Sequence, residues 1–572
     1  MTLPAFAQDW YIEDGDISIS AGTSGNNVTQ GGTTIENDTD TVIKSKDSST
    51  ASSNTVTIDA GEGKTVNVTL DNVTINVDEE PTSGYDPSAY KTAVSVTGSG
   101  NTNIELNGNN TLTSGYGHAG LEHNKTDDSG TLTIQDEKND DGSAKGSASD
   151  TTGSLTAKGG GQGAGIGGSS NKDGQVTITG GKITATGGNG AAGIGGGASD
   201  KYTAVGGDGD VTISGGTITA TGGSGAAGIG GGLDGNGTVI ITGGDITAKA
   251  RGYYGAGIGG GYGAKPKPSG TLIGGNGTVT ISGGTITEAS GGYMAAGIGS
   301  GLQGLGTVTI EGDAVIKNAQ GGEAGAGIGS GTRGNSEIII RGDAVIENAE
   351  SSANGAGIGS GQGDVNYDYD TEETIIDKTV GNVTIEGNAK IENAKSGSGG
   401  SGIGGGTLGI GNVIIRGNAQ IGNATGGEEG AGIGGGALGT GNVTIEGNVT
   451  IENAQGGAGA AGIGGGAETQ PDTEDTRNKV SIKSTEAGSP NITAKGGGVL
   501  NGVGVLDENV SLPGAAAIGS GSVADGATEV KSDITMEGKV TINATGGGNV
   551  AIGDNIDGEK VFNGLAGGTN IK

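Results

Sequence analysis

Cysteine is absent from the 572 residues, which excludes a disulfide framework, a cysteine-bound zinc site and thiol catalysis. Large side chains are scarce: 2 Phe and 1 Trp are too few for the several compact cores that a chain of this length would otherwise hold. Proline is rare as well. With only 8 prolines, the 134 glycines do not belong to a collagen helix, which needs abundant proline and glycine at every third position. Basic side chains are outnumbered, 30 Lys and Arg against 64 Asp and Glu, and the net charge of −34 argues against sequence-independent binding to nucleic acid. No apolar run is long enough for a membrane-spanning helix, and no useful stretch has helical periodicity.

What the chain has instead is repetition. The tetrapeptide A-G-I-G, or a near variant, recurs around Ile166, Ile194, Ile229, Ile258, Ile298, Ile328, Ile358, Ile403, Ile433, Ile463, Ile518 and Ile552. A single glycine-rich loop of this kind would raise the question of a phosphate cradle, but such a loop opens a helix after a strand, and here each copy lies between strands. The successive spacings of 28, 35, 29, 40, 30, 30, 45, 30, 30, 55 and 34 residues describe a unit of 28–30 residues with occasional insertions, the signature of a solenoid.

One unit reads VTISGGTITATGGSGAAGIGGG. Val211 and Ile213 alternate with Thr212, Gly215-Gly216 turns the chain, Ile218 and Ala220 alternate with threonines, and Ala227 and Ile229 form a third short strand. Three strands and three corners per repeat predict an all-β fold, a parallel β-helix whose small inward residues stack from coil to coil. The general handedness of parallel crossovers makes it right-handed. Twelve coils at about 4.8 Å each give a rod on the order of 60 Å long.

Two columns check the register. Glu311, Arg341, Glu386, Arg416 and Glu446 alternate in sign at one position of successive repeats, as side-by-side strands would require. Asn318, Asn348, Asn393, Asn423 and Asn453 recur at another, which predicts an asparagine ladder. Residues 11–155 read as irregular first coils, 156–466 as regular coils with an insertion at 364–380, and 467–572 as degenerate last coils. Ala5-Phe6-Ala7 followed by Gln8 resembles the end of a secretory signal peptide, so residues 1–10 read as its remnant and the chain as exported. No sortase signal follows Leu512-Pro513-Gly514.

Candidate sites are few. Tyr253 and Tyr293 each lie five residues before a marker isoleucine, with Tyr254 and Tyr262 nearby, which predicts an aromatic corner able to stack on a sugar ring or a partner surface. Asp364, Asn366, Asp368 and Asp370 alternate like the first half of a calcium loop, although Tyr369 stands where the turn glycine belongs and Ile375 where the bidentate glutamate belongs. His118, Glu122 and His123 are poorly spaced for a metal. Outward threonines at 184, 217, 219, 247, 285 and 287 form a partial Thr-x-Thr ladder that breaks off at Lys317, Glu347 and Glu392, which argues against an ice-binding face.

The pattern GGTITATGG followed by GAAGIGGG, clear over residues 150–466, resembles the glycine-rich repeat regions of exported surface proteins of Gram-positive gut bacteria, several described as right-handed parallel β-helix or carbohydrate-binding-domain proteins. The resemblance implies fold and location, a secreted or cell-surface rod acting as adhesin or carbohydrate-binding module with a glycan or host-surface partner, and lends no site residues. The expected chain is monomeric, without a membrane span, and needs no cofactor unless calcium fills the acidic loop. Two alternatives stand beside it: a polysaccharide lyase or glycoside hydrolase of β-helix type, for which no converging carboxylates are legible, and a ligand-free spacer stalk.

Overall fold

A computed structural model describes residues 8–78, 87–137, 153–199, 206–263, 265–266, 272–273, 275–368, 373–467, 477–502, 510–523, 531–548, 550–553, 563–565 and 570–571. The chain divides into two compact units, Met1–Gly275 and Asn276–Lys572. Both are parallel β-helix solenoids. The only helical turns among the described residues are short 3-10 turns at Ile12–Asp14 and Pro87–Ala89.

Each coil contributes one strand to each of three faces, as the alternation of Val/Ile with Thr and the double glycines dictate. In the first unit the first face stacks Gly174–Ile178, Gly209–Ile213 and Gly237–Ile241, with Val176, Val211 and Val239 in one column and Ile178, Ile213 and Ile241 in another. The second face stacks Ile183, Ile218 and Ile246 beside Ala185, Ala220 and Ala248. The third face is two residues wide: Ile166, Ile194, Ile229 and Ile258 pair in series, each followed by glycine. The second unit repeats the plan, its third face running through Ile298, Ile328, Ile358, Ile403, Ile433, Ile463, Ile518 and Ile552.

These inward columns are the core. Val211, Ile213, Ile218, Ala220, Ala227 and Ile229 are buried, and so are most of their equivalents among the described residues, with Ala544 and Val550 of the last marked coil half-buried. Each isoleucine withdrawn from water is worth roughly 1.5–3 kcal/mol, so the sum over coils takes the place of a globular core.

Both predicted columns form within the second unit, the asparagine ladder from Asn348 onward, since the Asn348 amide donates to Lys317 O at 3.0 Å instead of to Asn318. Arg341 Nε donates to Glu311 Oε2 at 2.7 Å and Arg416 Nε to Glu386 Oε2 at 2.7 Å, while Arg416 and Glu446 are register partners. The alternation runs two coils further than anticipated, since Glu446 pairs in register with Lys483, whose Nζ lies 3.1 Å from Glu537. The Asn393 amide donates to Asn348 Oδ1 at 3.2 Å, Asn423 to Asn393 at 3.0 Å and Asn453 to Asn423 at 3.4 Å. Asn393→Ala removes the acceptor of Asn423 and the donor of Asn348. Because both partners are near the surface, it should cost about 1 kcal/mol, read as a small fall in the urea midpoint at unchanged slope.

Four segments leave the coil among the described residues, two of them the antiparallel pairs Lys265–Pro266 with Leu272–Ile273 and Leu500–Gly502 with Val510–Leu512. Asn26–Gln30 pairs antiparallel with Ile17–Ala21, and Thr33–Asp38 pairs antiparallel with Asn26–Gln30, so the expected irregular coil is here a meander on the edge of the first third-face strand. The insertion after Ile358 is an antiparallel hairpin of Asp364–Asp368 with Glu373–Asp377.

Candidate functional site: a lateral groove and three smaller clusters

The tyrosines divide between the units. In the first, the Tyr254 and Tyr262 rings stack at 4.4 Å between centroids with a 34° tilt, and Tyr253 lies 5.7 Å from Tyr254. Tyr262 is anchored by its backbone N–H to Gly225 O at 2.7 Å, and burial, helped by Tyr254 and Asp234, pushes its phenol pKa up. Much of this cluster is therefore a self-packed corner. Tyr253 is 60% exposed, the most open ring of the three. Tyr293 belongs to the second unit, where it is 41% exposed and is followed at the same position of the next coil by Glu323.

The acidic insertion is a strand where a calcium loop was expected. Asp364, Asn366 and Asp368 sit at alternate positions of an extended strand, their backbones about 6.6 Å apart. Asp364 is moreover ion-paired with Arg333. Asp370 lies outside the described residues, and among those described no three histidines or carboxylates gather as a metal site.

The histidine cluster resembles a catalytic triad only in composition. His118 Nδ1 lies 2.8 Å from both Glu122 Oε2 and Thr92 Oγ1. A relay needs the hydroxyl on one ring nitrogen and the carboxylate on the other, so these contacts cannot activate Thr92. Glu122 also accepts from the Ala119 N–H and the Asn124 amide, which fixes the corner.

His123 is buried and donates from Nδ1 to Gln175 O at 2.8 Å. Burial depresses its pKa, against the pull of the Gln175 and Gly130 carbonyls. The unfolded chain therefore binds a proton that the folded one refuses. Stability should be full above the unfolded-state pKa of about 6.5 and decline as pH falls through that value toward the lower folded one. Urea midpoints at pH 7.5 and pH 5 should show this decline, and His123→Gln should flatten it.

A feature of ligand size lies on the outer side of the first face in the second unit, a lateral groove with a volume of about 650 Å³. Register builds it. One column runs Glu337, Asn382, Asn412, Asn442, Lys479 and Asp533 along successive coils. Two residues on in each strand, a second column runs Thr384, Ile414, Thr444, Ser481 and Thr535. Two further on lies the charge ladder from Arg341 to Glu537, most of its charges paired.

The first column is a second asparagine ladder, which sequence reasoning missed. Asn382 donates to Glu337 Oε1 at 2.5 Å, Asn412 to Asn382 Oδ1 at 2.8 Å and Asn442 to Asn412 Oδ1 at 2.8 Å. Its signal was the Gly-Asn-Val tripeptide at 381–383, 411–413 and 441–443.

Residues 176–198, 211–233, 239–262 and 279–302 match the family described as Beta helix repeat. The matched segments begin at the first-face Val176, Val211, Val239 and Val279 and run through the second- and third-face strands, so the family's repeat and the structural coil coincide. The chain matches no curated protein and no solved structure at a significant level. No helix among the described residues is long and apolar enough to cross a membrane.

Proposed function

We propose that the protein is an exported, cell-surface β-helix module that binds carbohydrate without transforming it. The observation that carries this reading is the lateral groove: its size is that of a small-ligand site, its floor mixes aliphatic side chains with hydroxyls and amides, and its walls belong to a rigid sheet. The exposed face of Tyr253 offers a second place for a sugar ring.

A hydrolytic reading finds less support. The two carboxylates lining the groove, Glu337 and Asp533, are five coil steps apart, about 24 Å, whereas a glycosidase pair stands within about 10 Å. On the charge ladder beside it, Glu311, Glu386 and Glu537 are engaged by Arg341, Arg416 and Lys483.

The test is a glycan-array screen of the full chain, with calcium and with a chelator. Selective binding supports the module, and loss of that binding in the chelator would bring in the acidic hairpin. Binding lost in a Tyr253→Ala/Tyr293→Ala double variant would move the site to the tyrosines. An array without selective binding in either condition would leave a spacer stalk.

A further inference from the structure

We infer that the groove of the second unit takes an uncharged, hydroxyl-rich polysaccharide strand laid along the coil axis. The inference rests on the carbohydrate-binding reading above and adds to it the place, class and orientation of the ligand.

The class follows from charge and valence. Over the three central coils the groove presents Asn382 and Thr384, Asn412 and Ile414, and Asn442 and Thr444, with no ionisable group in either column. The charged members, Glu337, Lys479 and Asp533, lie beyond the asparagines at either end. A uronate or sulfated chain would find no unpaired row of cations here and would approach a protein of net charge −34.

The amides have capacity to spare. An asparagine carries two N–H donors and two acceptor lone pairs, and the ladder engages one of each at Asn382 and Asn412. Each coil thus retains a donor and an acceptor side by side, the complement of a hydroxyl, which both donates and accepts. Ile414, 39% exposed, and the threonine methyls supply an apolar strip against which the C–H face of a sugar can lie.

The orientation follows from the repeat. These groups recur once per coil, about 4.8 Å apart, along the axis and not across it. A ligand that meets several of them must therefore extend along the axis, and affinity must grow with chain length.

The experiment measures binding of the full chain to neutral gluco-, xylo- and manno-oligosaccharides of two to eight units, and to polygalacturonate and alginate, by calorimetry. Variants are Ile414→Arg and Thr444→Lys, each at an outward position, with Thr219→Arg on the second face of the first unit as control, and circular dichroism to confirm folding. Expected is binding that strengthens with length among neutral chains, changes little as salt rises to about half molar, falls at least tenfold in Ile414→Arg and Thr444→Lys, and is unchanged in Thr219→Arg.

Neutral glycan bound equally by all three variants would overturn the groove assignment while leaving the carbohydrate reading standing. Preference for the uronate polymers would overturn the class, and affinity that does not grow with length would overturn the axial orientation. Binding to none of the sugars would overturn both the inference and the reading beneath it. Should Ile414→Arg fail to fold, Thr444→Lys carries the same comparison.

Discussion

Gly329→Val is expected to lose about 4 kcal/mol or more of stability, from strain and overpacking together, and to unravel the coils around it. Gly329 follows Ile328 on the third face with φ +138°, a conformation in which a β-branched residue is strained. A Cβ there would collide with the Gly359 carbonyl of the next coil and sit 3.1 Å from Ile338 Cδ1. That carbonyl is not idle, since it accepts the Ser330 N–H at 3.2 Å. The collision therefore breaks the hydrogen bonding between coils at the place where the third face is only two residues wide. Gly498→Ala is the control: no atom lies within 4 Å of its Cβ position, so it should be neutral or slightly stabilising. Hydrogen exchange of the Ile328 and Ile358 amides, bonded to Gly357 O and Gly402 O, reads the local effect. Protection equal to that of the parent would show that the glycine is not required by shape.

This glycine explains why so much of the fold was legible. A residue type that recurs because a Cβ cannot fit marks the coils from Ile166 onward, and the isoleucine before it marks the inward direction, so strand, corner and register follow there from one tetrapeptide; in the earlier coils Thr57, Ser95 and Glu122 stand at the glycine's position. Sign alternation from Glu311 onward then fixed which residues are neighbours, because like charges at that spacing repel.

What failed to be legible had the same local chemistry with a different outcome. Gly31-Gly32 reads like the corner pair Gly215-Gly216. At the corner only Gly216 has positive φ, +90°, whereas Gly31 and Gly32 both do, +59° and +81°, giving the twisted two-residue turn that joins antiparallel strands. The alternating acids from Asp364 likewise suit a calcium loop and a strand of a projecting hairpin equally well, and pairing with 373–377 decides for the strand. The groove was beyond reach for another reason. It is a property of two columns contributed by strands from residue 337 to residue 535, and only the recurring Gly-Asn-Val of three of those strands hints at it in the sequence.

The second large effect is expected at the first coil. Asp38 is 1% exposed, and its Oδ2 accepts from Trp10 Nε1 at 2.8 Å and from Thr41 Oγ1 at 3.1 Å. Thr41 Oγ1 in turn accepts from the Asn26 amide, which also donates to Asn67 O at 2.7 Å. This buried network ties the antiparallel meander to the coils of Trp10, Thr41 and Asn67, so that Asn26–Gln30 occupies the outer edge of Ile17–Ala21. Terminal repeats of a solenoid need such a cap, since an open strand edge invites pairing with another chain. Asp38→Ala leaves the indole N–H and the Thr41 hydroxyl buried without their acceptor and should cost about 2–3 kcal/mol. Asp38→Asn keeps a carbonyl oxygen for the indole and should cost less. Trp10 is the only tryptophan in the chain, so its emission reports this end alone. A red shift with concentration-dependent association in Asp38→Ala, and neither in Asp38→Asn, would identify the meander as the cap that keeps the first coil from recruiting another strand. Emission and association unchanged in Asp38→Ala would mean instead that the buried aliphatics Ile17, Ile19 and Val28 hold the meander in place without the polar network.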